Sequence, residues 1–259
     1  MSDKGVVLST VDRGIGIVNF STPKSNSLPG EILEKLAQAI TQFGEDNDIK
    51  AILLRSEGEK AFCAGASFDE LLEVDRLDRS RIFFSGFANV LNAMKNCGKI
   101  VVVRVQGKAT GGGVGLICGG DYCFATSTAD LALTEINLGI GPFVIGPYVE
   151  RKIGASHFAA MALDAKFRSA EWALDKGVYH HLSSSIEEMD KNLGVFLEEL
   201  RSRSSKALAL IKKVAWEGTE SFDQLTPQRV DMSASLILSD ESKSNINKIK
   251  EQLASKKKP

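Results

Sequence analysis

Lys108-Ala-Thr-Gly-Gly-Gly-Val-Gly-Leu-Ile-Cys-Gly-Gly-Asp121 is the stretch around which the rest of the chain is read. An apolar, β-branched run, Ile100-Val-Val-Val-Arg-Val105, leads into it and has the length of a buried strand. Gly111, Gly112 and Gly113 follow, and then an apolar segment of helix length. Glycines at a strand-to-helix junction leave backbone N–H groups uncovered by side chains. The first N–H groups of a helix have no internal partner, and the helix dipole adds positive potential there. Such a corner suits an anion, or an oxygen that becomes anionic during a reaction.

Two nucleotide motifs fail at this stretch. A dinucleotide fingerprint starting at Gly111 needs a third glycine where Leu116 stands, and one starting at Gly113 needs it at Cys118. A phosphate loop ending in Gly107-Lys108 needs glycine at Val102 and Ser or Thr at Ala109.

Outward from the centre, 259 residues predict one or two compact domains whose core needs no disulfide or metal. The formal net charge of −1 argues against a nucleic-acid binder. Lys256-Lys257-Lys258 reads as a solvated tail. Cys63, Cys97, Cys118 and Cys123 form no Cys-x-x-Cys pair, and His157, His180 and His181 have no zinc-type spacing with them. The two neighbours His180 and His181 would point to opposite faces of a strand, which speaks against a metal pair. The opening residues Met1 to Gly5 lack the apolar core of a signal peptide, and no run has the length of a membrane span. Reduced thiols and a cytoplasmic location are the expectation.

Along the chain, Val6–Val11 and Ile15–Phe20 flank Asp12-Arg13-Gly14 as a hairpin. Pro29 opens a helix with Ile32, Leu33, Leu36, Ile40 and Phe43 on one face, ending near Gly44. Lys50–Ser56 reads as a strand. Next comes a second glycine corner, Cys63-Ala-Gly-Ala-Ser67, with Phe62 beside it. A helix over Leu77–Asn96 precedes the Ile100 strand. Strands are expected at Asp121–Thr126, Asp130–Thr134 and Gly177–Leu182, and a loop holds Pro142 and Pro147. Helices are expected around Ser156–Leu163 and Ala170–Lys176. Beyond Ser185 the pattern is helical, including Glu188–Arg201, Ser205–Trp216 and Pro227–Leu238. The shift sets a boundary near residue 200, between a core (1–200) and a C-terminal helical region (201–259). Phe83, Phe84, Phe87 and Phe143 are each read as core rather than pocket, and Tyr122 and Tyr148 as core or pocket wall.

With its two glycine corners the sequence resembles the crotonase family of acyl-coenzyme A enzymes, the enoyl-CoA hydratases and isomerases. Lys60-Ala-Phe-Cys-Ala-Gly-Ala66, Gly107-Lys-Ala-Thr-Gly-Gly-Gly113 with Asp121, and Glu135-Ile-Asn-Leu-Gly139 carry the resemblance. It implies an α/β fold: a crotonase-type spiral of β-β-α units with a helical C-terminal oligomerisation region, packed as trimers or hexamers. It also implies an acyl-CoA substrate, with coenzyme A as part of the substrate and no metal or redox cofactor. The backbone N–H groups of Ala66 and Gly112 would form an oxyanion hole for the thioester carbonyl. Ala64 would lie near coenzyme A, and Glu135 would act as general acid/base.

The sequence departs from the family pattern in places that bear on chemistry. Typical hydratases carry a first glutamate two residues after the glycine triplet, where this chain has Gly115. Gly141-Pro-Phe-Val-Ile-Gly-Pro147 replaces a Gly-Gly-Thr-Gln-Arg type run, and Ser67 stands where many members have Asp. One carboxylate can still move a proton between two carbons, shifting a double bond from position 3 to position 2 of the acyl chain. Glu135 hydrating alone, hydration of a methylglutaconyl-type thioester, acyl-CoA decarboxylation and non-catalytic acyl-CoA binding are the alternatives. Asp130 and Asp69 are the remaining candidates for a second carboxylate.

Overall fold

The computed structural model describes residues 5–255. The tail Lys256–Lys258 and the first four residues, on which the leader and tail expectations fall, lie outside them. Ten α-helices and nine strands are assigned within that span. In chain order these are β1 (Val6–Asp12), β2 (Ile15–Ser21), α1 (Gly30–Glu45), β3 (Ala51–Ser56), β4 (Ala61–Cys63), α2 (Phe68–Leu72), α3 (Leu77–Asn96), β5 (Ile100–Val105), β6 (Lys108–Thr110), α4 (Gly112–Gly119), β7 (Tyr122–Thr126) and β8 (Leu131–Ala132). A 3-10 turn (Glu135–Leu138) follows, then α5 (Gly146–Asp164), α6 (Ala170–Asp175), β9 (His181–Ser183), α7 (Ile186–Ser202), α8 (Ser205–Ala215), α9 (Phe222–Leu236) and α10 (Asp240–Ser255).

Six strands form the main sheet in the order β1-β2-β3-β5-β7-β9, parallel except for the β1–β2 hairpin. The β-branched run is its central strand, and period-two alternation explains why no residue of it is polar on a free face. Val101, Val103 and Val105 pack into the larger core with α1, α3 and α4. Ile100 and Val102 face the opposite side, into a cluster with Met189, Leu193, Leu197 and Leu200 of α7 and Leu208 of α8. Arg104 also points that way, and its guanidinium meets the Asp190 carboxylate at 2.6 and 2.9 Å.

A second, three-stranded parallel sheet, β4-β6-β8, corrects the expected order at the centre. The triple glycine does not follow the Ile100 strand directly; the three-residue β6 intervenes and carries the chain into the smaller sheet. The reach of α5 is also longer than expected. It begins at Gly146, with Pro147 in its first turn where a missing N–H costs nothing, and kinks at Gly154 (φ 76°, ψ 158°). The last strand is confined to His181–Ser183, because Val178 and Tyr179 are buried in the turn before it. α9 starts at Phe222, five residues before Pro227, which sits inside the helix.

The C-terminal helices are anchored on Asp121. Its carboxylate accepts from Lys212 Nζ (3.0 Å), Trp216 Nε1 (2.6 Å) and the Val101 amide (2.8 Å). Lys212 is 3 % exposed and also donates to the carbonyls of Met94 and Lys99. The Arg151 guanidinium lies 4.1 Å over the Trp216 ring. One carboxylate thus ties α8 to the start of the central strand.

Candidate active site

The smaller sheet brings the two glycine corners together. β4 ends at Cys63 and β6 at Thr110, side by side, so the turns after them face each other. A Cβ built on Gly65 would stand 3.5 Å from the Gly112 nitrogen. Gly65 has φ +83°, and Gly111 has φ 53° with ψ −122°, conformations open to glycine.

Each corner presents an unpaired amide. Ala66 is bridged to Leu28 by its neighbours: the Gly65 carbonyl accepts from Leu28 N at 2.8 Å, and Ser67 N donates to the Leu28 carbonyl at 3.0 Å. The N–H of Ala66 itself therefore points away from Leu28, as alternation along an extended chain requires. Gly112 opens α4, so its N–H has no partner within the helix. Neither amide donates a backbone hydrogen bond to another described residue.

Both residues line one cavity of about 300 Å³, together with Ala64 and Glu135. The sequence-predicted site residues are thus gathered in one place. Glu135 begins the 3-10 turn; the residue as a whole is half-buried, and its Oε2 is shut off from solvent. Its Oε1 lies 3.1 Å from where a Gly111 Cβ would stand, and its Oε2 has no hydrogen-bond partner among the described residues. Burial pushes its carboxyl up to about 7, against the opposing pull of the Glu135 and Thr134 backbone amides. It is the one ionisable side chain among the residues lining the cavity.

Asp69 and Asp130 are not second carboxylates of this cavity. Asp69 is exposed and paired with Lys24, and Asp130 stands 3.7 Å from Lys108. Ser67 caps α2, accepting from the Glu70 amide. The reading of Phe83, Phe84, Phe87 and Phe143 as core holds for Phe87, which is buried in the larger core, but all four line the cavity. On α3, a face turned to a cavity and a face turned to a packed core have the same apolar period, which is why the pattern did not separate them. Ser233 of α9 and Ile249 of α10 close the wall, a contribution from the helical region that carries no motif. Tyr148 is buried and donates to Asn92, while Tyr122 stacks on His180 and Phe196.

Cys63, Cys118 and Cys123 are buried thiols pushed up to about 12 by desolvation, a state unsuited to nucleophilic work. His180 accepts from the Cys123 amide and His181 contacts Asn192. No group of three His, Cys, Asp or Glu able to hold a metal ion occurs among the described residues. No helix among them is long and apolar enough to cross a membrane.

Residues 10–258 match the family described as enoyl-CoA hydratase/isomerase. The chain belongs to the enoyl-CoA hydratase/isomerase family. Its relatives include a mitochondrial 3-hydroxyisobutyryl-CoA hydrolase of Gallus gallus, 28 % identical over 72 % of this chain and 50 % of that protein. A mitochondrial methylglutaconyl-CoA hydratase of Mus musculus is 28 % identical over 73 % of this chain and 57 % of its own length. The chain therefore spans about half the length of these two curated relatives. A crystal structure of an enoyl-CoA hydratase from Bacillus halodurans superposes with a TM-score of 0.86 at 22 % identity, covering 93 % of this chain and 98 % of that one. That likeness establishes the fold, an α/β crotonase architecture. Enoyl-CoA hydratase/isomerase relatives thus differ in the reaction their names describe, so the chemistry of this member has to be argued from its own pocket.

Proposed function

We propose that this family member acts on an enoyl-CoA thioester and transfers a proton at the carbon next to the thioester carbonyl. The Ala66 and Gly112 amides hold the carbonyl oxygen, each contributing on the order of 3 kcal/mol to the enolate-like state. Glu135 is the general acid/base. Ala64 flanks the coenzyme A moiety, which enters as part of the substrate, and no further cofactor takes part. The observation that carries this reading is a lone carboxylate with one buried, unpartnered oxygen, in the same cavity as two unpaired amides. A base needs its pKa near the working pH, and a carboxyl brought to about 7 by burial meets that requirement.

The cavity wall favours an apolar acyl group. Leu71, Phe83, Phe84, Leu138, Ile140 and Phe143 contribute to it, and no Lys or Arg is among the lining residues. A methylglutaconyl thioester or a decarboxylation substrate would bring a second carboxylate that finds no cation there.

The test is incubation of the protein with 2-enoyl-CoA and 3-enoyl-CoA, separately, in deuterated water. Turnover with deuterium entering at carbon 2 is expected, and Glu135→Gln should abolish it while leaving thioester binding intact. Full activity in the Gln variant would remove Glu135 from the mechanism. Tight thioester binding without turnover or exchange would instead mark a binding protein built on an enzyme fold.

A further inference from the structure

A second cavity shares a wall with the one that holds Glu135. It is a groove of about 850 Å³ between α5 and α9. Phe158 and Ala162 of α5 and Phe222 and Leu225 of α9 give it apolar sides. Its charged residues are two glutamates, Glu150 and Glu217, and two arginines, Arg151 and Arg229, so no excess charge is there to recruit an ionic ligand. Ile140, Gly141, Pro142 and Phe143 line the groove and the catalytic cavity alike. One short stretch of loop is therefore the partition between the two.

The partition is held at its ends and loose at its middle. Ile140 is buried with Leu71, Ile237 and Ile246, and Val144 and Ile145 are buried in the larger core. Between them the chain turns tightly, the Phe143 amide donating to the Gly141 carbonyl at 2.8 Å. The Phe143 ring folds back over Gly141, its Cζ only 2.5 Å from where a Gly141 Cβ would stand. Phe143 is half-buried and belongs to none of the three apolar clusters found among the described residues. A ring packed on its own loop changes rotamer without unpacking a core.

The catalytic cavity, about 300 Å³, lies at the lower end of the range for small-molecule sites, roughly 300–1,000 Å³. It has to take the thioester end of the substrate as well as the chain, which leaves room for a short acyl group alone. We infer that Phe143 is a gate between the two cavities, and that the tail of an extended apolar acyl chain lies in the groove between α5 and α9. The substrate class is then a medium- or long-chain enoyl-CoA. This rests on the proposed function, because the tail reaches the groove only from a thioester held beside Glu135. Ile136, Leu163 and Leu236, which line the groove and stand exposed, would lose water to the entering chain. The occupant is thus of the same apolar kind as the wall it covers.

The experiment measures kcat/KM for deuterium exchange at carbon 2 of 3-butenoyl-CoA and 3-decenoyl-CoA. Wild type is compared with Phe143→Ala, Phe143→Trp and Ala162→Phe, with circular dichroism reporting the fold and gel filtration the assembly. Wild type should prefer the longer thioester by roughly 10²-fold or more, since each fully buried methylene is worth about fourfold. Ala162→Phe fills the groove from a residue that does not line the catalytic cavity. It should lower the decenoyl-to-butenoyl ratio about tenfold, and Phe143→Trp should lower it in the same direction by thickening the gate. Phe143→Ala should raise the ratio severalfold. A wild type indifferent to chain length, or a ratio that stays constant across the folded variants, would overturn the gate. So would Ala162→Phe changing the assembly and leaving the ratio alone, which would make the groove an interface between copies of the chain. Absence of exchange with both thioesters sinks the Glu135 reading, whereas exchange with an unmoved ratio sinks only the inference about Phe143.

Discussion

Asp121 and Glu135 are both largely shielded carboxylates, and the protein treats them in opposite ways. Asp121 has an ammonium, an indole N–H and a backbone amide directed at its two oxygens. Glu135 is left with one oxygen unpartnered and the greasy wall of a cavity around it. A buried charge with a full set of donors joins elements together; removing a single partner strands the other. A buried carboxyl with a missing partner is poised to exchange its proton. The contrast separates a group that holds the molecule from one that works on a ligand.

Four changes break or sharpen this contrast. The largest effect is expected for Glu135→Gln, which should lower the turnover rate by roughly 10²- to 10⁴-fold while the thermal midpoint is kept or raised. Paired kinetics and melting curves check this; a parallel fall in both would make Glu135 a structural residue like Asp121. Lys212→Met should do the reverse. It leaves Asp121 without its cation in a buried site and should cost about 3–5 kcal/mol of stability in urea unfolding, with activity per folded molecule largely retained. Gly112→Ala comes next. Its Cβ would lie 2.3 Å from the Phe87 ring, so the amide must shift, and a loss of roughly 10²-fold in kcat without global unfolding is expected.

The smallest effect is in pH. The folded-state pKa of Glu135, about 7, lies above its ordinary value of 4.5, so the native protein holds a proton there that the unfolded chain has released. Stability from this group is therefore complete below about pH 4.5 and is lost as pH rises through 7, by roughly 3 kcal/mol at most. Activity runs the other way, since the base works deprotonated: kcat/KM should climb to a plateau above pH 7. Wild type and Glu135→Gln should differ in stability at pH 8 and converge at pH 4.5; curves that stay parallel would show that the shift is not felt in folding.

Much of this was legible before any coordinates. The β-branched run at 100–105 announced a strand buried on both sides, and α3 occupies the residues its period predicted, Leu77–Asn96. The two glycine corners were marked by residue type, because close backbone approach tolerates only small residues, whereas Glu135 was marked by the family resemblance. Other features left no readable trace. β4 and β6 have three residues each, too few for any period to register, so the smaller sheet that joins the corners stayed hidden. The four pocket phenylalanines look like core residues because a cavity wall and a core obey the same apolar rule. The contact of Ile145 with Gly115, thirty positions earlier, is likewise made by packing alone.

The wall built from Ser233 and Ile249 has a consequence of its own. Ala64 and Ile249 touch the same cavity although most of the chain lies between them. A bound acyl group behaves there as a non-covalent cross-link, closing a very long loop and drawing α9 and α10 onto the spiral. Ligand occupancy should therefore be written into the hydrogen-exchange rates of those two helices, far along the chain from either glycine corner.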